Sequence, residues 1–290
     1  MTLSNDQIAT IQAARRTSGG YIPAAVVAQL VAAGIPIEQL MLDLIPLAKT
    51  FAIPPISNFF VGAVSLGKSG ALYLGANYEF PGQALSFTVH GEQAATAEAI
   101  FFGETGIDKL AVSAAPCGYC RQFLYELTTA STLQILLPNT PAALLTSLLP
   151  DAFGPGDLGV TAALMSPQRH GLKLADPPPG DPLVDAALRA ANVSYAPYSL
   201  SYAGVALRAA DGGIYSGSVA ENAAFNPSLS PLEAAVVSLA INGGKKYGDI
   251  TDAVLVEVAG AVASQIAATK AVLAAMTAVP LRVYAAAAAA

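Results

Sequence analysis

The sequence predicts an α/β protein in which one domain occurs twice. Short β-rich runs alternate with segments of helical periodicity, and the same glycine-punctuated hairpin pattern returns late in the chain. The 290 residues are 54% hydrophobic and 12% charged, so the chain can bury at least one large core and is too apolar for intrinsic disorder.

The first half of the chain begins with helical spacing and then becomes β-rich. Residues 1–48 are interrupted by glycine and proline and predict a small helical segment. From Phe51, two apolar runs on either side of a turn at 67–70 predict a hairpin. A helix, a buried strand, a second helix and another strand are predicted next, at about 89–102, 109–114, 118–127 and 133–137.

A proline-rich stretch with weak periodicity, residues 138–185, separates this half from the next. The hairpin pattern then returns over 195–218, and a helix and a strand are predicted to follow. The predicted segments are therefore a helical N-terminal segment at 1–48, a first domain at 49–150, a connector at 151–189 and a second domain at 190–290. The closing alanine run, 285–290, carries no side-chain information.

The two halves are related residue by residue. Seven identical pairs share one spacing of 142 residues within 25 positions, more than chance provides. The pairs are Pro55/Pro197, Ser57/Ser199, Gly62/Gly204, Gly70/Gly212, Tyr73/Tyr215, Gly75/Gly217 and Glu79/Glu221. Near this spacing, residues 90–92 face 231–233, and residues 116–120 face a segment of small residues near 259–263. The second copy thereby loses the histidine and both cysteines described next, so we expect chemistry in the first copy alone.

Charge and hydropathy patterns argue against two classes of partner. The net charge is −6 and no cluster of Lys or Arg is present, which is unlike a nucleic-acid-binding protein. No apolar stretch reaches the length of a membrane span without a charge or proline, so no membrane insertion is expected. The first residues are polar and acidic where a signal peptide would be basic and then apolar, which predicts a cytoplasmic protein.

The two cysteines of the chain, Cys117 and Cys120, form a C-x-x-C motif. Such a motif alone indicates a redox pair or half of a metal site. His90-Gly91-Glu92 lies upstream, and together the motifs match the H-x-E and P-C-x-x-C pattern of zinc deaminases. One imidazole and two thiolates leave the fourth position of zinc open to water, as in catalytic sites. We therefore expect one Zn²⁺ per chain, with Glu92 as general acid/base.

The predicted elements bring these residues together. His90 begins one predicted helix, and the cysteines begin the next, with one strand between them. Helix N-termini of such a unit meet at one edge of the sheet, where the helix dipoles favour thiolates.

Longer stretches around these residues resemble the cytidine deaminases, specifically the two-domain, homodimeric kind found in enteric bacteria and plants. The stretches are 76–80 (ANYEF), 88–93 (TVHGEQ), 116–123 (PCGYCRQF), 149–155 (LPDAFGP) and 221–227 (ENAAFNP). The resemblance extends over about residues 20–260.

This resemblance implies a duplicated three-layer α/β/α fold with a five-stranded mixed sheet, a second domain without metal, and a homodimer. It implies that His90, Cys117 and Cys120 bind zinc and that Glu92 relays protons. The implied substrate contacts are Asn77 and Glu79 on the ribose hydroxyl, Phe59 on the base, the backbone N–H of Gly91 on the pyrimidine carbonyl, and Phe153, which reaches the neighbouring subunit's site. Gly91 replaces the family's usual alanine, and we expect a small loss of rigidity with the reaction retained.

The implied activity is hydrolytic deamination of cytidine and 2′-deoxycytidine, with release of ammonia, in pyrimidine salvage. A deaminase of another nucleoside or of polynucleotide, a zinc-stabilised scaffold, and a thioredoxin-like redox protein remain alternatives. The acidic charge opposes a polynucleotide substrate, and the retained Glu92 opposes a scaffold. Arg121 is expected to donate a hydrogen bond to a cysteine sulfur, and His170 is expected to have no role in the site.

Overall fold

The computed structural model describes residues 3–15, 19–176 and 180–288. They form two compact units, one comprising Met1–Tyr78 and Val89–Ser166 and the other Glu79–Thr88 and Pro167–Ala290. Four parts of the predicted segments lie outside the described residues, namely residues 1–2 and 16–18 of the helical N-terminal segment, prolines 177–179 of the connector and alanines 289–290 of the closing run.

The first unit contains one mixed β-sheet. Its helices are α1 (Asn5–Arg15), α2 (Ala24–Ala32), α3 (Ile37–Lys49), α4 (Gly91–Phe101), α5 (Gly118–Leu124) and α6 (Leu145–Leu148). Its strands are β1 (Tyr21–Ile22), β2 (Gly62–Gly67), β3 (Leu72–Ala76), β4 (Ile107–Val112), β5 (Gln134–Leu136) and β6 (Ala143–Leu144). The strand order is β1-β3-β2-β4-β5-β6, with β4 and β5 parallel and the other neighbours antiparallel.

The second unit contains a five-stranded mixed sheet. Its helices are α7 (Pro182–Asn192), α8 (Pro231–Ile241) and α9 (Ile266–Ala274). Its strands are β7 (Leu172–Leu174), β8 (Ala203–Ala209), β9 (Ile214–Ser218), β10 (Ile250–Val258) and β11 (Leu281–Ala288), in the order β7-β11-β10-β8-β9. Strands β10 and β11 are parallel, as β4 and β5 are in the first unit.

Two repeated glycines explain the layers of the first unit. A Cβ at Gly62 would lie 2.6 Å from the carbonyl oxygen of Ile45 in α3, and one at Gly75 would lie 2.2 Å from the backbone nitrogen of Ala95 in α4. The two glycines face opposite sides of the sheet, because Gly75 pairs with Ala63, the neighbour of Gly62. Helices α3 and α4 therefore approach the sheet backbone from opposite faces.

The second unit repeats these close approaches. A Cβ at Gly204 would lie 2.4 Å from the carbonyl oxygen of Ala187 in α7, and one at Gly217 would lie 2.2 Å from the backbone nitrogen of Ala235 in α8. The conserved spacing of the glycines between the halves thus reflects helix-to-strand contacts that tolerate no side chain. The predicted α/β fold class and the duplication are confirmed.

The sheet of the first unit has six strands where five were expected. The sixth arises because the N-terminal segment, predicted as helical, contributes β1, which pairs through Tyr21 with Tyr73 of β3. The remainder of this segment packs on the sheet, because Ile11, Leu30 and Leu44 share one buried cluster with the strand residues.

Helix α7 and strand β11 differ from the sequence-based prediction. Helix α7 begins at Pro182, within the predicted connector, and its buried residues recur at helical spacing, a pattern that the neighbouring prolines obscured in the sequence. Strand β11 includes alanines of the closing run, and Ala285 and Ala286 pair with Glu257 and Val258 of β10. Alanine has little preference for strands, so backbone pairing decides this conformation.

No single helix among the described residues is long and apolar enough to span a bilayer, while α2 and α3 pass that test only as a pair bent by 119°.

Candidate active site

His90, Cys117 and Cys120 come together where two helices of the first unit begin. Their ligand atoms all lie within 4.8 Å of one another. His90 precedes α4 as its N-cap residue, and Cys117 precedes α5 in the same way. The imidazole Nδ1 of His90 lies 3.6 Å from Sγ of Cys117 and 3.3 Å from Sγ of Cys120. The sequence-based grouping of these three residues is thus present in the fold.

The spacing of these atoms fits a tetrahedral zinc ion. Tetrahedral bonds of ordinary Zn–N and Zn–S length would separate the nitrogen from each sulfur by about 3.5 Å. One imidazole and two thiols also form a donor set that zinc prefers. Cys120 is buried and Cys117 is exposed, so the site opens to solvent on the Cys117 side.

The two thiols differ strongly in acidity. The pKa of Cys117 is lowered to about 5, mainly because the Cys120 thiol donates a hydrogen bond to it, and backbone N–H groups at the start of α5 add to the effect. The same hydrogen bond, together with burial, raises the pKa of Cys120. Cys117 is therefore a thiolate at neutral pH, the form in which cysteine binds metals. No disulfide joins the two cysteines, whereas the redox alternative predicts one.

Glu92 lies in the first turn of α4, two residues after His90. Only 4% of its surface is exposed, and burial raises the pKa of its carboxyl group. The neighbouring charge of His90 and the thiol of Cys120 lower this pKa and so partly oppose the effect of burial. A carboxyl group with a raised pKa beside a metal-binding cluster is suited to accept and return a proton near neutral pH.

The first turn of α4 is held tightly. Oε1 of Gln93 accepts a hydrogen bond from the backbone N–H of His90 at 3.1 Å, which fixes the residue that precedes the helix. Gly91 is buried, and a Cβ there would lie 3.0 Å from Cγ1 of Val61. An alanine at this position would therefore require Val61 to move by a few tenths of an ångström.

Asn77 has a structural task that the sequence did not reveal. Its Oδ1 accepts a hydrogen bond from the backbone N–H of Val61 at 2.9 Å, and its Nδ2 donates to the carbonyl of Phe59 at 2.8 Å. The amide thus fixes the backbone on both sides of residue 60, while the Phe59 ring remains 59% exposed. An asparagine amide can make further hydrogen bonds, so the predicted ribose contact of Asn77 stays a prediction.

Glu79 belongs to the second unit, where it is 6% exposed and its backbone carbonyl accepts a hydrogen bond from the Tyr247 hydroxyl at 3.2 Å. Its counterpart Glu221 accepts hydrogen bonds from the backbone N–H groups of Tyr198 and Ser199, at 2.9 and 3.2 Å. Glu221 therefore holds a loop, and the predicted role of Glu79 in ribose binding stays a prediction.

The structure changes the partners predicted for Arg121. It donates from Nε to the carbonyl of Pro116 at 2.8 Å and from Nη1 to the carbonyl of Leu148 at 2.7 Å, not to a cysteine sulfur. The next residue, Gln122, donates to the carbonyl of Phe153 at 2.6 Å, a contact that the sequence did not predict. Phe153 itself is 44% exposed.

His170 has a structural environment in the second unit. Its Nε2 lies 2.7 Å from the carbonyl oxygen of Ser194, and its ring stacks on Tyr202 with centroids 3.5 Å apart. Both partners lie within the second unit, whereas the residues expected to bind metal belong to the first.

The start of α8 corrects the sequence comparison between the two copies. Ser230 is the N-cap residue of α8, and Glu233 accepts a hydrogen bond from its backbone N–H at 2.9 Å, as Gln93 does from His90. Ser230 therefore corresponds to His90, and Leu232 corresponds to Glu92. The comparison that placed Glu233 opposite Glu92 was wrong by one position. The reason is a shorter loop before the helix.

The length of that loop follows from two matching β-bridges. Tyr78 pairs with Val89 in the first unit, and Ala220 pairs with Leu229 in the second. The second interval is two residues shorter, which shifts the spacing between the copies from 142 to 140 at the helix start. The second copy has thus lost the candidate acid/base as well as the candidate metal ligands.

Comparison with known proteins agrees with this site. The family described as cytidine and deoxycytidylate deaminase zinc-binding region matches residues 36–135 and, through a second pattern of the same description, residues 145–270. A cytidine deaminase of Yersinia pestis (strain Pestoides F) is 51% identical over 232 residues, which are 80% of this chain and 78% of that protein. The chain belongs to the cytidine and deoxycytidylate deaminase family.

Other members of the deaminase family are similar over the same or a smaller part of the chain. A cytidine deaminase of Yersinia pseudotuberculosis (serotype O:1b, strain IP 31758) has the same 51% identity and the same coverage. A crystal structure of cytidine deaminase from Mycobacterium tuberculosis is 32% identical, covering 40% of this chain and 95% of that one, with a TM-score of 0.37. The deaminase zinc-binding region matched at 36–135 contains His90, Cys117 and Cys120.

Proposed function

We propose that this chain catalyses the zinc-dependent hydrolysis of cytidine and 2′-deoxycytidine to uridine and 2′-deoxyuridine, with release of ammonia. One observation carries this proposal. His90, Cys117 and Cys120 present one nitrogen and two sulfurs at the spacing of a zinc site, and the buried Glu92 lies in the same first turn of α4. A histidine, two cysteines and a glutamate in this pattern are the components of a zinc deaminase site.

Each of these residues has a defined part in the reaction. His90, Cys117 and Cys120 would hold the metal, which when bound supplies a Lewis acid that makes water a nucleophile near neutral pH. The Glu92 carboxylate takes a proton from the attacking water and passes it to N3 of the pyrimidine. It then takes the second proton of that water, whose oxygen is now bonded to C4, and delivers it to the amino group as the C4–N bond breaks, so that one water is consumed and one ammonia is released. Burial of Glu92 favours this role, since its raised pKa suits both steps.

Substrate orientation is assigned to five further groups. The backbone N–H of Gly91 would donate to the pyrimidine carbonyl, and Phe59 would pack on the base. Asn77 and Glu79 would bind a ribose hydroxyl, which favours a nucleoside over a free base. Phe153 would contact the substrate of a neighbouring subunit. The exposed rings of Phe59 and Phe153 support these assignments, because both are free of a core role.

We further infer that the protein is a cytoplasmic homodimer that acts in pyrimidine salvage and binds neither nucleic acid nor membrane. The net charge of −6 supports the absence of a nucleic-acid partner. The second unit keeps the fold but lacks the metal-binding residues, so its remaining role is to supply a surface for packing. This favours a homodimer. An equilibrium mass close to the 29.4 kDa of one chain would contradict the dimer.

The first experiment follows the ultraviolet absorbance of cytidine in the presence of the purified protein, with zinc quantified in the same sample. Loss of the cytidine band with about one zinc per chain is the expected result. Zinc without turnover of either nucleoside would reject the proposed substrates and favour a scaffold. A protein without zinc and with a disulfide between Cys117 and Cys120 would favour the redox alternative.

A further inference from the structure

Helix α5 carries a candidate metal ligand and also holds the segment formed by residues 148–154. Arg121 and Gln122 directly follow Cys120 in this helix. Arg121 donates from Nη1 to the carbonyl of Leu148 at 2.7 Å, and Gln122 donates from Nε2 to the carbonyl of Phe153 at 2.6 Å. The two donors thus fix the segment at both of its ends.

A third contact, with the residue that caps the end of α5, brings the segment close to this helix. A Cβ at Gly154 would lie 2.8 Å from Cε1 of Tyr125, so the backbone here rests directly against the tyrosine ring. Asp151 has a φ of 52°, in the left-handed region that non-glycine residues rarely adopt. A segment in such a conformation needs external contacts to keep one shape.

The contacts of Phe153 are divided between its backbone and its ring. The carbonyl is held by Gln122, whereas Phe153 as a residue remains 44% exposed. Because the ring is attached to a backbone fixed from α5, the position of that backbone determines where the ring lies. Gln122 therefore influences the position of the Phe153 ring through the backbone and needs no contact with the ligand of that ring.

We propose that Gln122 is a positioning residue for substrate binding, which orients Phe153 by holding its carbonyl. This inference rests on the proposed function, in which Phe153 contacts the nucleoside. Arg121 anchors the other end of the segment and, through Nε and the carbonyl of Pro116, ties it to the loop that precedes Cys117. Gln122 contributes one hydrogen bond to the segment. Loss of that hydrogen bond weakens substrate binding, so KM rises while kcat and zinc content stay unchanged.

The test replaces Gln122 by methionine, which keeps the length of the side chain and removes the donor. We expect KM for cytidine to rise about two- to ten-fold, the range for loss of one hydrogen bond, with kcat and zinc content unchanged. The control is Gln29→Met, the same chemical change at an exposed position of α2, which should leave all three quantities at their wild-type values.

A double-mutant cycle separates positioning from a general structural effect. In a Phe153→Ala background, Gln122→Met should add no further increase in KM, because the group it orients is gone. Fully additive effects would overturn the proposal, as would an unchanged KM in Gln122→Met or a loss of zinc from that variant.

Amide hydrogen exchange of residues 149–158 in the zinc-loaded protein distinguishes failure of this inference from failure of the proposed function. Faster exchange in Gln122→Met supports the positioning contact even where wild-type protein turns over no cytidine, in which case the proposed function alone fails. If exchange in Gln122→Met is unchanged and the wild-type protein turns over cytidine, the positioning role is overturned and the deaminase assignment stands.

Discussion

Helices α4 and α8 rest on equivalent strands of the two units, yet their first turns carry different side chains. Both pack against a glycine of the sheet hairpin, and both have a side chain at the third helical position that accepts from the N-cap backbone. His90 and Glu92 of the first unit are replaced by Ser230 and Leu232. The residues that position the helix on the sheet are present in both units, and the candidate metal ligand and candidate acid/base are present in one.

The loops that follow the central strands show a second difference. Val112 of β4 and Leu255 of β10 occupy equivalent positions, because they pair with Ala63 and Val205 of the first hairpin strands. Five residues later the first unit has Cys117, and the second has Gly260, whose φ is 74°.

In the second unit, hydrogen bonds hold the loop after β10 at the place where the loop after β4 carries the candidate metal-binding cysteines. Ser201 accepts a hydrogen bond from the backbone N–H of Ala263 at 3.0 Å. Glu257 accepts from the hydroxyl of Ser264 and the backbone N–H of Gln265, both at 2.9 Å. Polar side chains therefore fix the conformation of this loop in the second unit.

Removal of a thiol from the first unit should have the largest effect. We expect Cys120→Ala to lose its zinc and with it all measurable cytidine turnover, because two remaining donors cannot form a zinc site. Zinc analysis and the absorbance assay measure both quantities. Ser264→Ala, in the second loop, is the control and should retain metal and activity. Full zinc content in Cys120→Ala would show that Cys120 is not a ligand.

The next prediction removes the acid/base and keeps the metal. Glu92→Gln should lower kcat for cytidine about 10²- to 10⁴-fold, the usual contribution of a positioned general acid/base, while zinc content stays unchanged. Steady-state kinetics and metal analysis on one preparation measure this. Activity within tenfold of wild type would assign the proton transfers to another group.

Glu233 offers a prediction for the second unit, since it is the charged counterpart of Gln93. Burial raises its pKa to about 7 in the folded chain. The unfolded chain releases this proton at lower pH, so the folded state loses stability as pH rises from about 4.5 to 7. Glu233→Gln should remove this loss and stabilise the protein by roughly 1–3 kcal/mol above pH 7.

Urea unfolding of wild type and Glu233→Gln at pH 5 and pH 8 tests this expectation. The difference in midpoint should be clearly larger at pH 8, and kcat should be the same in both proteins. A difference that does not vary with pH would mean that Glu233 has the same pKa in the folded and the unfolded chain.

The smallest expected effect comes from rebuilding the missing ligands. We expect the triple variant Ser230→His, Gly260→Cys, Ala263→Cys to bind no second zinc. Gly260 has a φ of 74°, whereas Cys117 has a φ of −69°, so a cysteine at 260 is strained and directed differently. Zinc analysis of the folded variant tests this expectation. Two zinc ions per chain would show that side-chain identity alone explains why the second unit lacks a metal site.

The duplication and the metal-binding cluster could be predicted because each depends on few, distinctive residues. Glycines such as Gly62 and Gly75 are irreplaceable where a helix touches a strand, so they mark the repeat in the sequence. His90 and the two cysteines have a spacing with a direct chemical meaning. Both features can therefore be recognised in the sequence without knowledge of the tertiary structure.

Other features depended on tertiary context. The loop before α8 is two residues shorter than the loop before α4, which changes the spacing between equivalent residues of the two copies. The identical residues on the hairpin precede this loop and cannot reveal the change. Arg121 can reach several acceptors, and only the position of Leu148 decides which one it contacts. Helix α7 packs closely on β8 through buried alanines at helical spacing, but the prolines just before it favoured a connector, and only the tertiary contact with β8 identifies the helix.

The contact at Gly75 has one more consequence. A Cβ there would also lie 2.5 Å from the carbonyl oxygen of Gly91, so the first turn of α4 lies on the strand with no layer of side chains between them. The separation of His90 and Glu92 from the sheet is therefore set by two backbones in contact. Core side chains elsewhere in the unit can diverge or be redesigned without changing that separation, which makes this turn a fixed reference point for engineering the pocket around it.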